Sequence, residues 1–156
     1  MHTWICALMF CAASATLPVA AQTAPAPAPA YDAELAARLG ADERGMRPYV
    51  LVILKTGPKR MPDGPERDAM FRGHFANMKR LADEGKLMLA GPLDGVDGWR
   101  GLYVFAVKDV EEARQLAATD PVVIEGEMVV EAHRYYGSAA LVMVREIHDK
   151  LGKPKP

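Results

Sequence analysis

His74 and Asp120 are the two side chains of this sequence whose types and setting best suit proton transfer. His74 stands inside the segment PERDAMFRGHFANMKRLADEG, residues 65–85, which reads as a helix. At about 100° per residue, Phe71, Phe75, Met78, Leu81 and Ala82 fall within roughly 100° of His74, with a mean direction about 50° away. The ring therefore belongs to the apolar arc. A polar ring held there needs a partner, because an unpaired buried polar group is costly. Asp120 closes the second helix of the chain, and both helices are expected on the same side of one sheet. A carboxylate that accepts from one ring nitrogen fixes the tautomer and leaves the other nitrogen as a general acid or base. Asp120-Pro121 is equally a helix terminator, and a histidine can serve the core alone. Spacing by itself leaves the catalytic and the structural readings open.

Few other groups offer chemistry. Asn77 lies on the flank of the arc beside His74, placed to hold a polar substrate. His133 on the last strand is a further candidate for the same pocket, with an exposed strand position as the plainer alternative. His74, His133 and His148 lack close ligand spacing, so no metal site is expected. Met70, Met78 and Met88 read as core filler. Lys55, Lys59 and Arg60 either attract an anionic ligand or are solvated loop charge. Cys6 and Cys11 both fall in the N-terminal apolar segment, so the rest of the chain has neither thiol nor disulfide. No phosphate-binding glycine loop, G-x-S-x-G elbow or H-E-x-x-H is present. No cofactor is called for by any motif, which leaves proton transfer as the chemistry on offer.

The elements that must position these groups follow from the hydrophobic pattern. Tyr49–Leu54 (YVLVIL) is a continuous apolar run, as in a strand covered on both sides. Pro65 suits the first turn of the following helix, with Glu66 and Asp68 at its positive end, and Gly85 suits its end. Lys86–Ala90 and Trp99–Val107 form a hairpin around a long Gly/Asp-rich loop. Asp109 caps a second helix carrying Val110, Ala113, Leu116 and Ala117 on one face. Met128–Tyr136 is the fourth strand, and Ala140–Leu151 is expected as a C-terminal helix. The order β-α-β-β-α-β predicts an α+β, ferredoxin-like fold, an antiparallel sheet with both helices on one face. The other face would be bare, which predicts a homodimer.

The chain has 156 residues and a formal net charge of −1. That length suits a single domain, and no basic surface is available for nucleic acid. Residues 1–21 read as a signal peptide, apolar and closed by Val19 and Ala21 at the −3 and −1 positions of a cleavage site. The segment is short for a membrane span and contains Pro18. Residues 22–46 hold the spacer TAPAPAPA, extended by its prolines, and a short helix over Asp32–Leu39 expected to pack loosely. The domain itself is placed at 47–140, with a helix and basic tail at 141–156. These features predict a periplasmic or secreted protein without a stable membrane span.

The order of motifs adds a resemblance. His74 and Asn77, then Gly85-Lys86-Leu87, Ala90-Gly91-Pro92-Leu93, Asp120-Pro121 and Gly126 resemble the YCII-related family from about Tyr49 to Tyr136. That family has a helix histidine, a glycine-proline turn after the second strand and an Asp-Pro segment after the second helix. The resemblance implies a dimeric ferredoxin-like α/β barrel, an active-site pair at His74 and Asp120, and a pocket wall at Gly91 and Pro92. It also implies that elimination chemistry is possible on the scaffold, as in a dehydrochlorinase of a chlorinated hydroquinone. One departure is His133-Arg134-Tyr135-Tyr136, where the family often has proline after the histidine. The sequence thus points to an exported, cofactor-independent enzyme for a small molecule, performing elimination or isomerisation. Its alternative is a non-catalytic periplasmic module for ligand binding or dimerisation.

Overall fold

A computed structural model describes residues 30–153. The expected signal segment and nearly all of the Pro-Ala spacer lie outside them. The elements are α1 (Ala33–Leu39), β1 (Met46–Thr56), α2 (Pro65–Asp83), β2 (Leu87–Pro92), β3 (Trp99–Phe105), α3 (Val110–Ala117), α4 (Pro121–Ile124), β4 (Met128–Ser138) and α5 (Val144–His148). The strands form one sheet in the order β2-β3-β1-β4, with every neighbouring pair antiparallel. This is the α+β, ferredoxin-like arrangement that the order of elements predicts. Among the described residues no helix is long and apolar enough to cross a membrane.

The register divides the side chains between two faces, because successive residues of a strand point to opposite sides. Val50, Val52 and Leu54 of β1 and Tyr103 and Phe105 of β3 face the helices, packed with Met70 and Leu81 of α2 and Ala113 and Ala117 of α3. Tyr49, Met88 and Val104 occupy the opposite face, with Leu51, Leu102, Leu141 and Val142 against them. This second face is therefore not bare. The expected single helix over Ala140–Leu151 is split into a 3-10 segment, Ala139–Met143, and the short α5. Ser138 caps the 3-10 turn by accepting from the Ala140 N–H at 3.2 Å, and the turn lays Leu141 and Val142 onto the sheet.

α1 is also held more firmly than its sequence suggests. Leu39 is buried, Arg47 Nη1 donates to the Leu39 carbonyl at 3.0 Å, and Tyr136 O–H donates to Asp42 just beyond the helix. β1 and β4 are longer than their apolar runs, since they pair with each other from Met46↔Ser138 to Thr56↔Met128. Backbone pairing continues past the point where burial stops selecting hydrophobic residues. Pro48 is tolerated in β1 because β3 joins that strand only from Val50.

Candidate active site

α2 and α4 bring His74 and Asp120 together. The Asp120 side chain is fully buried and that of His74 is 12 % exposed. His74 Nδ1 lies 3.0 Å from Asp120 Oδ1 and 2.9 Å from Oδ2. The carboxylate has two further donors: the Val122 N–H at 3.1 Å on Oδ1 and the Tyr103 O–H at 2.8 Å on Oδ2. Three donors converge on one buried carboxylate, which is what a buried charge requires. Asp120 is at the same time the N-cap of α4, with Pro121 in the first turn. α3 itself ends at Ala117 with Ala118 as its C-cap, so Asp120 does not close that helix as the sequence suggests; its side chain starts the next one and pairs with the ring.

Tyr103 is the member that sequence reasoning missed. WRGLYVFAV reads as an unbroken apolar strand, and nothing in the run separates a core tyrosine from a functional one. Its phenol is buried, and burial pushes its pKa well above the usual value, with the adjacent Asp120 carboxylate adding to the rise. It is a fixed donor at neutral pH. The His74 ring is held face-on by Tyr103, at a centroid distance of 6.4 Å, and edge-on by Phe71 and Phe75 at 5.9 and 5.2 Å. With Nδ1 turned to Asp120, Nε2 is the nitrogen left for chemistry.

His74 lines a cavity of about 260 Å³ together with Leu54, Phe71, Phe75, Met78, Gly91, Pro92, Arg100, Gly101, Tyr103 and Met128. The walls are mostly apolar, as small-molecule sites are. Two glycines keep the space open or the elements close. Gly101 faces the cavity from β3, where a Cβ would stand 3.0 Å from the Gly91 carbonyl oxygen. Gly73, next to His74, lets α2 approach α4: a Cβ there would stand 2.9 Å from Pro121 Cγ. A larger cavity of about 370 Å³, between α2, β2 and α5, contains His148 and Arg145 and shares Phe75 and Met78 as walls. It holds no carboxylate-paired histidine, whereas the His74–Asp120 pair borders the smaller cavity.

The structure brings His74, Asp120, Gly91 and Pro92 together but not Asn77 or His133. Asn77 is buried on the core side of α2. Its Oδ1 accepts from Arg80 at 2.7 Å and Thr119 at 3.1 Å, which ties α2 to the chain just before Asp120 and does not line the cavity. The helical wheel explains the shift. The deeply buried Met70, Asn77 and Leu81 lie about 20–60° to one side of His74. Phe71, Phe75 and Met78 lie on the other side and face the cavity; Phe75 is 62 % exposed. The apolar arc of α2 is thus half core and half cavity wall, with His74 between. His133 pairs with Leu51 and so shares the opposite sheet face, where its Nε2 is 2.7 Å from Glu131. Lys55 also bonds Glu131 at 3.2 Å.

Beside the cavity stands a buried charge cluster that the sequence did not reveal. The Glu127 side chain is 1 % exposed. Its Oε2 accepts the Met61 N–H at 2.7 Å and its Oε1 accepts from Arg67 at 2.9 Å. Burial alone would raise the Glu127 pKa. The Arg67 hydrogen bond, the Met61 N–H and the charges of Arg67 and Arg100 outweigh it and hold the carboxyl below its ordinary range. Among the described residues no group of three or more His, Cys, Asp or Glu is placed to hold a metal.

Residues 48–134, more than half of the chain, match the YCII-related domain. No curated protein matches. Among solved structures, 5-chloro-2-hydroxyhydroquinone dehydrochlorinase (TftG) from Burkholderia phenoliruptrix AC1100, in complex with 2,5-dihydroxybenzoquinone, is similar with 18% sequence identity and a TM-score of 0.41. That likeness covers 56% of this chain and 92% of the other.

Proposed function

This chain belongs to the YCII-related domain family, and from that premise we propose that it is a small-molecule enzyme using His74 as general acid–base. The observation that carries the reading is the bond from His74 Nδ1 to both oxygens of Asp120, at 3.0 and 2.9 Å, on the wall of an apolar cavity. Asp120 orients the ring and stabilises it when Nε2 takes a proton. Tyr103 and the Val122 N–H hold the carboxylate in place. The reaction class is proton transfer on a small cyclic compound: an elimination, in which the proton leaves with His74, or an isomerisation, in which His74 returns it at another carbon. Nε2 takes the proton from carbon, and the electron pair expels a leaving group or shifts a double bond.

The signal-like residues 1–21 support export to the periplasm or beyond. The half-exposed Val129 and Tyr135 of the opposite sheet face support a homodimer through that surface.

The test is a panel of cyclic ketones and halogenated phenols, followed by solvent-deuterium exchange and halide release. His74→Ala is expected to lower turnover by about 10²–10⁴-fold, with thermal stability retained or raised, as is common when a functional group is removed. A pair that serves structure gives the reverse: no turnover difference between wild type and His74→Ala, and a loss of about 1–3 kcal/mol on the substitution.

A further inference from the structure

Arg100 points where strand geometry alone would not send it. In β3, Gly101 and Tyr103 face the helices while Leu102 and Val104 face away, so simple alternation directs Arg100 away from the cavity. The pairing with β1 steps from Leu54↔Gly101 directly to Lys55↔Trp99. Two residues of β3 therefore match a single step of β1, a bulge in which Arg100 is the extra residue. Bulges re-aim side chains in this way. The result is that Arg100 lines the His74 cavity, with Nη1 4.0 Å from Glu127 on the helix side of the sheet.

The charge around it is not balanced. Glu127 is the nearest carboxylate, 4.0 Å from Arg100 Nη1, which is beyond hydrogen-bonding reach. Its oxygens are already engaged by Arg67 and the Met61 N–H. Asp63, the other carboxylate on Arg67, is 86% exposed and so heavily screened. One buried carboxylate thus faces two guanidinium groups, and the outer one, Arg100, has no hydrogen-bond acceptor among the described residues. The rest of the cavity wall is apolar apart from His74 and Tyr103. The Arg100 side chain is 28 % exposed, so its free donors stand at the edge of an otherwise apolar wall, where a planar fork suits an oxyanion.

We propose that Arg100 is the anion anchor of this cavity, and that the molecule taken there is a single-ring compound carrying one anionic oxygen group, a carboxylate or phenolate. This rests on the cavity being the substrate site and names the substrate class. Phe71, Phe75 and Met78 pack on the ring, Arg100 holds the oxyanion, and the held ring presents its C–H to His74 Nε2. Glu127 is a positioning residue, keeping Arg67 occupied and Arg100 at the wall. The cavity volume of about 260 Å³ lies at the small end for ligand sites, which limits the occupant to one ring with short substituents.

The experiment compares benzoate with its neutral isostere benzamide by chemical-shift titration of the full protein, in wild type, Arg100→Met, Arg100→Lys and His74→Ala. In wild type, benzoate is expected to shift His74 and Phe75 saturably and to bind about 10-fold or more tighter than benzamide. Arg100→Met should abolish that preference, with an otherwise native amide spectrum reporting that the variant is folded. Arg100→Lys should keep part of the preference, as a point charge without the planar fork. Equal affinities in wild type, a preference that survives Arg100→Met, or no saturation by benzoate into the millimolar range each overturns the anchor. His74→Ala separates this result from the acid–base reading. Benzoate preference retained in His74→Ala together with unchanged turnover sinks only the acid–base role, whereas lost turnover with no preference sinks only the anchor.

Discussion

The position of one proton decides what His74 can do. Nδ1 faces a carboxylate on both oxygens, so the neutral ring must carry its hydrogen there and leave Nε2 with a lone pair. Long-range ¹H–¹⁵N spectra read the tautomer directly, and the Nδ1–H form is expected for wild type. Asp120→Asn replaces one acceptor oxygen by an N–H₂ group that needs an acceptor of its own, and should move the population toward Nε2–H. Tyr103→Phe removes one of three donors from the carboxylate and a hydroxyl 3.4 Å from His74 Nδ1, while the stacked aromatic ring stays in place. It should keep the Nδ1–H tautomer at a cost of about 2 kcal/mol, the range for hydrogen bonds to charged groups. An Nε2–H ring in wild type would remove Nε2 as the base. A Tyr103→Phe protein as stable as wild type would mean that water replaces the phenol.

At the scale of elements, the site depends on how closely α2 meets the start of α4. Gly73 permits that approach, since a Cβ would meet Pro121 Cγ at 2.9 Å. Gly73→Ala gains about 1 kcal/mol of helix propensity and loses about 1–3 kcal/mol to overpacking. Melting should therefore change little or fall, while the His74 tautomer becomes mixed as the helix retreats from Asp120. A variant stabilised by the full propensity gain, with an unchanged tautomer, would show that the contact has slack. The same scale explains what the sequence made legible. The β-α-β-β-α-β order could be read because each apolar run has one period and is ended by Gly, Pro or Asp. His74 and Asp120 could be read because a polar group in an apolar arc demands a partner. Tyr103 was hidden, because its hydroxyl does not alter the hydrophobic pattern of β3. Arg100 was hidden because a bulge depends on register, which no single strand reveals. Asn77 was misplaced by the wheel, since hydrophobicity cannot distinguish the half of an arc that meets the core from the half that meets a cavity.

Across the whole molecule, Glu127 joins parts far apart in sequence: the loop at Met61, α2 through Arg67, and β3 through the field on Arg100. Its backbone carbonyl also accepts the Gly57 N–H at 2.8 Å, so the entry to β4 is fixed to the exit of β1. Its carboxyl is held below the ordinary glutamate value, so the unfolded chain binds this proton more readily than the native one as pH falls. The stabilisation is complete above the unfolded value, ordinarily 4.5, and is lost as pH drops through the lower native value. Glu127→Gln cannot carry the charge at any pH and leaves Arg67 without its buried partner. Breaking such a pair should cost about 3 kcal/mol at pH 7. Urea midpoints measured from pH 7 to pH 3 should then converge, with wild type losing stability below about pH 4.5 more steeply than the variant. Parallel curves down to pH 3 would mean that the acid sensitivity of the fold lies in other carboxylates. A variant equal to wild type at pH 7 would mean that Arg67 finds enough solvation without Glu127, and the cluster would then contribute to the placement of Arg100 without contributing to stability.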